Sequence, residues 1–589
     1  MVQTMEQWMV YQKKADFAKT GEKFHIHPVV ARLIRNRDVT GDEEISLFLN
    51  GTLSDLPDAH CMKDLDLLVD ILLEKIRGNK KIRVIGDYDV DGVMSSFMLK
   101  EVLHKAGADF DVKIPERIRD GYGLNVRLVE EAMHDGVDTI LTCDNGISAM
   151  EEIAYAKGQG LTVLVTDHHQ IPFKEENGVR TEIRSMADAI VNPHQEACGY
   201  PFKELCGAGV VYALACVMYE RLGLSGEETD LLEFAAMATV CDVMPLTGVN
   251  RILVKEGIKR IHNTKNTGMK ALIETAGLAA EQIDAWHFGF VLGPCINAMG
   301  RLETAEQALA LFSSGDEESA SQTAEDLVSK NNERKEMTKQ GVEEGIRLVE
   351  SGGYENDPVL VLYLPDVHES IAGLIAGRVR ERYARPVFVL TKGEGCVKGS
   401  GRSTEVYSMY EQMCRCSELL TRFGGHPMAA GMSLPEENVE LFRKKMNELC
   451  PYSVEEISSR VHIDMQMPPE YADIQLLRQF EILAPFGTGN PKPLFVDRGF
   501  RIERMRVLGK KQNVLRLNLK SAQGNPLQAV YFGDIPAFEQ YLSDRFGEEQ
   551  VLSAKQGREN NIIFSMVYQL REDTYKNNES IQLDMKYYR

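Results

Sequence analysis

The chain has 589 residues, room for roughly three or four domains of ordinary size. Hydrophobic residues make up 43% and charged residues 26%, which fits a globular chain and excludes a disordered or fibrous one. A formal net charge of −21 excludes one broad electropositive surface, but not a basic groove or bound cations that would hold a polyanion locally.

The eleven cysteines include no C-x-x-C spacing, and Cys414 and Cys416 are the one close pair. This predicts reduced thiols in a cytosolic protein. The opening stretch MVQTMEQWMVYQKKADFAK carries charges where a secretion signal needs an apolar run. No uninterrupted apolar run reaches ~18 residues, so no membrane span is expected and the cytoplasm is the expected location.

Residues 1–55 read as a small helical lead-in, with helical patterns after Pro28 and from Asp42. His25 and His27 are assigned structural or surface roles. An amphipathic helix over Asp64–Ile76 leads to a strand at Ile82–Ile85. That strand ends in GDYDVDG, which alternates Asp87, Asp89 and Asp91, and an apolar-periodic helix follows from Val93. Carboxylates this close repel one another, and a positive charge should hold them. Hard oxygen ligands suit Mg²⁺ or Mn²⁺. The plain alternative is a solvated acidic turn; the strand leading in and the helix leading out favour a ligand site.

Strand and helix patterns then alternate as far as Pro245, with strands at 139–142, 162–166 and 189–191 and helices at 93–105, 126–135 and 148–158. This predicts an α/β fold with a doubly wound parallel sheet. Asp144-Asn145-Gly146 and Asp167-His168-His169 each follow a strand, so both would share one sheet edge with the acidic loop. Asp242 ends an apolar helix over Leu231–Val243. Carboxylates and imidazoles gathered at one edge from distant sequence point to a two-metal site for phosphoryl transfer.

Residues 246–315 read as further helices, and 317–350 as a charged, proline-free helix suited to bridging two lobes. SGGYENDP is a linker by composition. A second α/β pattern follows, with strands at 359–365 and 386–390 around a helix at 370–383. GSGRS (399–403) and FGGHPMAAG (423–431) read as glycine-rich turns where backbone N–H groups and Arg402 could approach phosphate. Beyond Ser459 the pattern becomes short strands at 461–467, 495–507, 513–520, 527–533, 551–556 and 561–569, with a helix at 474–483. This predicts a small β-barrel of the OB type, a fold that binds single strands. Arg501, Arg504, Arg506, Lys510, Lys511 and Arg516 form a basic cluster in it, assigned to nucleic-acid contact. The polar tail after Asp573 is expected to fray.

GDYDVDG together with Asp167-His168-His169 resembles the DHH phosphoesterase superfamily, and within it the RecJ family of single-strand-specific 5′→3′ exonucleases. NPH at 192–194, YPFKELCGAG at 200–209, VCDVMPL at 240–246, NAMGRL at 297–302 and LAPFGTGNPKPLF at 483–495 extend the likeness over nearly all of the chain. GGHPMAAG resembles the signature of the DHHA1 domain. The resemblance implies a lead-in (1–55), a DHH domain (56–316), a connecting helix (317–350), a smaller α/β DHHA1 lobe (351–455) and an OB-fold domain (456–573).

It also implies Asp89, Asp91, Asp144, His168 and Asp242 as metal ligands for two Mn²⁺ or Mg²⁺ ions. His169 and Asp87 are assigned to catalysis. His169 would contact or protonate the scissile phosphate. Asp87 stands where many relatives have histidine and would be a ligand or a supporting acid. Asn297, Arg301, Ser400, Arg402 and His426 would bind substrate. The implied activity is release of 5′-mononucleotides from single-stranded DNA in repair and recombination, with metal-bound hydroxide as attacking group and single-strand-binding protein and a helicase as partners. Two alternatives stand beside it: a DHH–DHHA1 phosphodiesterase for short oligonucleotides or cyclic dinucleotides, and a non-catalytic nucleic-acid-binding scaffold. The barrel weighs against the first, and the intact acid and histidine set against the second.

Overall fold

The computed structural model describes residues 7–117, 119–176, 179–509, 512–573 and 580–589. The chain forms two compact units, neither of them one run of sequence. One comprises Gly41–Lys335 with Ala484–Pro491, and the other the segments through Thr40, Glu336–Leu483 and Lys492–Arg589.

The first unit is built on a five-stranded, all-parallel sheet. Its order is Phe110–Lys113, Ile82–Ile85, Thr139–Cys143, Thr162–Thr166 and Ala189–Val191. The edge strand Phe110–Lys113 was not anticipated; only its half-buried residues mark it. Both faces of the sheet are covered, as parallel sheets require. On one face Val84, Leu141 and Leu164 pack with the helices Leu65–Arg77, Val90–Lys105 and Gly207–Leu222. On the other, Ile85, Ile140 and Val165 pack against the helices Val126–His134 and Met150–Gly158. The central strands are therefore apolar on both faces, which is why they read as apolar runs rather than alternations. A hairpin of Phe173–Glu176 and Val179–Glu182 interrupts the alternation and was not expected.

The second unit holds a mixed five-stranded sheet, ordered Arg422–His426, Ala429–Leu434, Val397–Arg402, Val387–Lys392 and Leu360–Tyr363. Here the sequence reading needs correcting. GSGRS does not form a turn: Val397–Arg402 is a strand bonded on both sides, so its ladder amides are committed to neighbouring strands. The Phe423-Gly424-Gly425-His426 run is likewise an edge strand, with every residue exposed.

The unit also contains a closed barrel. Phe495–Leu508 pairs with Val514–Lys520, which pairs with Pro526–Tyr531; Ser580–Tyr588 and Ile563–Asp573 complete the ring back to Phe495–Leu508. Phe500, Ile502, Met505, Leu515, Leu517 and Leu519 are buried, while Arg501 and Arg506 are exposed and Arg504 and Arg516 half-buried on alternate positions. Lys510 and Lys511 lie outside the described residues. Two expectations fail. The segment at 551–556 belongs to a helix, Glu548–Gln556, preceded by another at Ile535–Phe546. The tail is not frayed over Ser580–Tyr588 but supplies a barrel strand; the rest of that expectation, at 574–579, lies outside the described residues. The lead-in also holds an unforeseen strand, Gln7–Val10, paired in parallel with Arg460–Ile463.

Glu317–Ser351 is one continuous helix. Among the described residues no helix is long and apolar enough to cross a membrane. Every cysteine is free.

Candidate metal centre

At the carboxyl ends of the parallel strands, three short loops and one helix end converge. The acidic loop follows Ile82–Ile85. Asp89 is the N-cap of the helix Val90–Lys105 and its Oδ1 accepts the Gly92 N–H at 3.1 Å, so one acid both starts a helix and reaches the site. Asp91 points at the start of another helix, where the Gly207 and Ala208 N–H groups donate to its two oxygens at 2.6 and 2.7 Å. The positive end of that helix offsets the buried charge. Only glycine fits at 207, because a Cβ would lie 2.7 Å from the Asp144 Cβ.

Asp144 follows its strand in left-handed conformation (φ 60°), which Asp tolerates better than most residues. Asn145, fully buried, ties this loop down by donating to the Ile85 and Cys143 carbonyls at 3.0 and 2.8 Å. Asp242 caps the helix Leu232–Cys241.

His168 Nε2 lies 3.1 Å from Asp144 Oδ1, and 3.6 Å from both Asp91 Oδ2 and Asp242 Oδ2. Among the described residues, potential ligand atoms fall in three overlapping groups, each within 4.8 Å: Asp144, His168 and His169; Asp91, His168 and Asp242; Asp87, Asp89 and Asp144. His169 Nδ1 lies 2.8 Å from Asp167 Oδ1. Asp167 itself accepts N–H bonds from Ile147, His168 and His169, so it orients the pair rather than facing the cluster. Asn192, from the NPH motif, donates to the His169 carbonyl at 2.9 Å.

Crowded acids distort one another's ionisation. Burial, then Asp89, pushes the Asp87 carboxyl well above the usual carboxylate range. Burial and Asp91 raise Asp89. Burial and the neighbouring acids, Asp91 first, raise Asp144 and Asp242 well above that range. Burial lowers His168, which favours the neutral imidazole that ligates metals. Burial also opposes a charge on His169, but the hydrogen bond and charge of Asp167 lift it to about 9. Asp167 is buried too, yet the His169 hydrogen bond and both imidazoles hold its carboxyl below the usual range.

The residues present fit divalent cations. Asp87 Oδ1, Asp144 Oδ1, His168 Nε2 and Asp242 Oδ2 are buried without a hydrogen-bond partner among the described residues. Buried polar atoms are rarely left so. A cation would satisfy these lone pairs and the mutual repulsion together. Carboxylate oxygens with imidazole and no thiolate suit Mg²⁺ or Mn²⁺ rather than a thiolate-bound metal.

Asn297 and Arg301 sit on the helix Gly293–Leu302, which abuts the acidic loop: a Cβ on Gly300 would lie 2.2 Å from the Tyr88 carbonyl oxygen. Ser400, Arg402 and His426 belong to the other unit. There Arg402 and His426 flank Ala429 in register on adjacent strands, with Ser400 two residues from Arg402 on the same face. Arg402 Nη1 donates to Ser400 Oγ at 3.2 Å.

Sequence reasoning missed Tyr122 and Arg117. The Tyr122 hydroxyl donates to the Asp144 carbonyl at 2.8 Å and lies 3.2 Å from the His169 ring nitrogens. Arg117 stacks over the Tyr88 ring at 4.6 Å. The available signal was Gly121-Tyr122-Gly123, whose glycines at φ 80° and 66° hold a turn that carries the tyrosine into the site.

Three family models match the chain: the DHH family N-terminal domain over residues 81–239, the DHHA1 domain over 356–451 and the RecJ OB domain over 463–587. A single-stranded-DNA-specific exonuclease RecJ of Haemophilus influenzae is 32% identical over 587 residues, covering 96% of this chain and 97% of that protein. The Bacillus subtilis protein of the same description is 33% identical over 537 residues; the match covers 90% of this chain and 66% of that protein. Among solved structures, RecJ of Thermus thermophilus in complex with Mn²⁺ superposes with a TM-score of 0.80 at 27% identity, over 99% of this chain and 79% of that one.

Proposed function

The chain belongs to the RecJ family, and from that premise we propose that it is a metal-dependent exonuclease that degrades single-stranded DNA from the 5′ end to 5′-mononucleotides, in DNA repair and recombination. One observation carries the reading: four orphaned ligand atoms, on Asp87, Asp144, His168 and Asp242, converge at the carboxyl edge of a parallel sheet.

Asp89, Asp91, Asp144, His168 and Asp242 would hold two Mn²⁺ or Mg²⁺ ions, and Asp87 would join them or support them. Bound there, such cations supply Lewis-acid chemistry: they lower the pKa of water and neutralise charge on phosphoryl oxygens. The chain's own part is positioning. Asp167 fixes the His169 ring through Nδ1, and the ring is half-exposed, so it can donate to an anionic phosphate oxygen. The Gly207 and Ala208 amides hold the Asp91 side chain in place. Asn297, Arg301, Ser400, Arg402 and His426 would bind the strand, and the barrel's outward basic residues would contact it too. The compartment would be the cytoplasm, with single-strand-binding protein and a helicase as partners.

The test is cleavage of single-stranded DNA labelled at its 5′ or its 3′ end, with Mn²⁺ and with chelator. The expected result is immediate release of the 5′ label as mononucleotide, with Mn²⁺ only. Release beginning from the 3′ label, equal digestion of blunt duplex, or a preference for dinucleotides over long strands would reject the reading.

A further inference from the structure

The helical segment Ala285–Leu302 carries an aromatic feature that the site described above does not use. Its first turns are irregular: Phe288–Leu292 is a π-helix, a rare form that is frequent at functional sites. Trp286 and Phe290 stand on it with rings 5.6 Å apart and nearly parallel, at 20°. They are 51% and 63% exposed, while Phe288 and Leu292 between and beyond them are fully buried. His287, hydrogen-bonded to Asp284, packs edge-on against Trp286 at 5.2 Å and limits its rotation. A stacked, exposed aromatic pair is costly to leave in water unless something covers it.

Its location says what does. Cys241 Sγ donates to the Phe288 carbonyl at 3.4 Å, anchoring the aromatic turn to the residue before Asp242. At the other end Gly300 packs on the Tyr88 carbonyl, between Asp87 and Asp89. Trp286, Phe290, Pro294, Asn297 and Arg301 recur once per turn and are exposed or half-exposed, as are His287, Gly289, Val291 and Leu302, whereas Phe288, Leu292, Cys295, Ile296, Ala298 and Met299 are buried. One continuous stripe therefore runs along the metal centre, polar at the acidic loop and aromatic at the far end, ~16 Å from Phe290 to Arg301 at helical rise.

We propose that Trp286 and Phe290 form a stacking platform for nucleobases of the single-stranded substrate as it lies along this helix. The inference rests on the nuclease reading above. A chain of net charge −21 gains little from long-range attraction to phosphates, whereas stacking needs no charge and accepts every base. The platform would hold the strand in register while Asn297 and Arg301 engage the nucleotides nearer the acids.

The chain has two tryptophans, and Trp8→Phe leaves Trp286 as the single reporter. The probe is a phosphorothioate oligothymidylate, with its binding followed independently by anisotropy of an end label. Quenching of Trp286 fluorescence in step with strand binding is expected. Trp286→Ala with Phe290→Ala should weaken strand binding roughly tenfold or more, while an abasic oligonucleotide binds parent and variant alike. Strand binding without quenching, unchanged affinity in the double variant, or an equal loss on the abasic strand overturns the platform. A change from dimer to monomer in the variant with unchanged affinity does so too, marking the pair as a self-association face. If the parent neither binds nor cleaves single strands, it is the nuclease reading that fails instead.

Discussion

His168 Nε2 and Asp144 Oδ1 approach to 3.1 Å, yet neither makes a hydrogen bond to the other or to any described residue. Two atoms that could bond but instead aim past one another share a target. Around them Asp91 Oδ2 and Asp242 Oδ2 stand 3.6 Å from the same nitrogen. The arrangement has the donors of a cation site and lacks the geometry of a hydrogen-bonded network.

His168→Ala and Asp89→Ala should accordingly abolish Mn²⁺-dependent hydrolysis while leaving the fold intact by circular dichroism. Asp167→Asn is the informative contrast. Asp167 reaches the site only through the His168 and His169 amides and the His169 ring. Its loss should cost about 10–100-fold, the usual effect of disturbing an orienting partner. Full activity in a folded His168→Ala protein would refute the ligand assignment.

The same crowding sets an opposition between stability and function at Asp144. Burial and four neighbouring acids, Asp91 first, raise its carboxyl well above the ordinary range, so its charge is a cost to the metal-free protein. In chelator, Asp144→Asn should be as stable as the parent or more so, by about 1 kcal/mol. With Mn²⁺ the order should reverse. The parent gains ~2.7 kcal/mol at a hundredfold excess over its dissociation constant, and the variant gains little. Thermal melts of both proteins with and without Mn²⁺ measure this directly. A parent whose melting point ignores Mn²⁺ would count against the whole cluster as a cation site.

The acids were legible in the sequence for a physical reason. In a parallel sheet all carboxyl ends lie on one edge, so a motif after each strand suffices to bring Asp89, Asp144 and His168 together. Tyr122 was not legible, because nothing in a Gly-Tyr-Gly turn says which strand end it covers. The helix Glu548–Gln556 was misread as a strand because its short apolar content imitates alternation. Yet Val551 and Ala554 are buried at helical spacing with Leu552 exposed between them, and Gly557 ends the helix at φ 70°. The neighbouring helix had its own signals, an Asp534 cap bonded to the Ala537 N–H and Pro536 at its start.

The tail gives the plainest test of that lesson. In Ser580–Tyr588, Leu583 and Met585 are buried while Asp584 and Lys586 are only half-buried, a strand alternation that polar residues disguise. This strand lies between Pro526–Tyr531 and Ile563–Asp573, and without it the barrel is an open sheet. Truncation after Asp573 should therefore cost more than about 5 kcal/mol, enough to unfold the barrel. Protease resistance of residues 495–573 is the readout, and an unchanged digestion pattern would show the strand to be dispensable.

Glu233 supplies a prediction away from the metal centre. It is 4% exposed on the helix Leu232–Cys241, and its Oε1 accepts the Thr264 hydroxyl at 2.6 Å. Burial raises its carboxyl from 4.5 to about 7, and the Thr264 hydrogen bond only partly opposes this. The folded protein thus holds a proton that the unfolded chain has released between pH 4.5 and about 7. Stability from this group is complete below the lower value and falls as pH rises through the window, by about 3 kcal/mol. Glu233→Gln keeps an acceptor for Thr264 and carries no charge. Its urea midpoint should match the parent's at the acid end of the window and exceed it at neutral pH. Parallel pH profiles for the two proteins would mean that Glu233 ionises freely in the folded state.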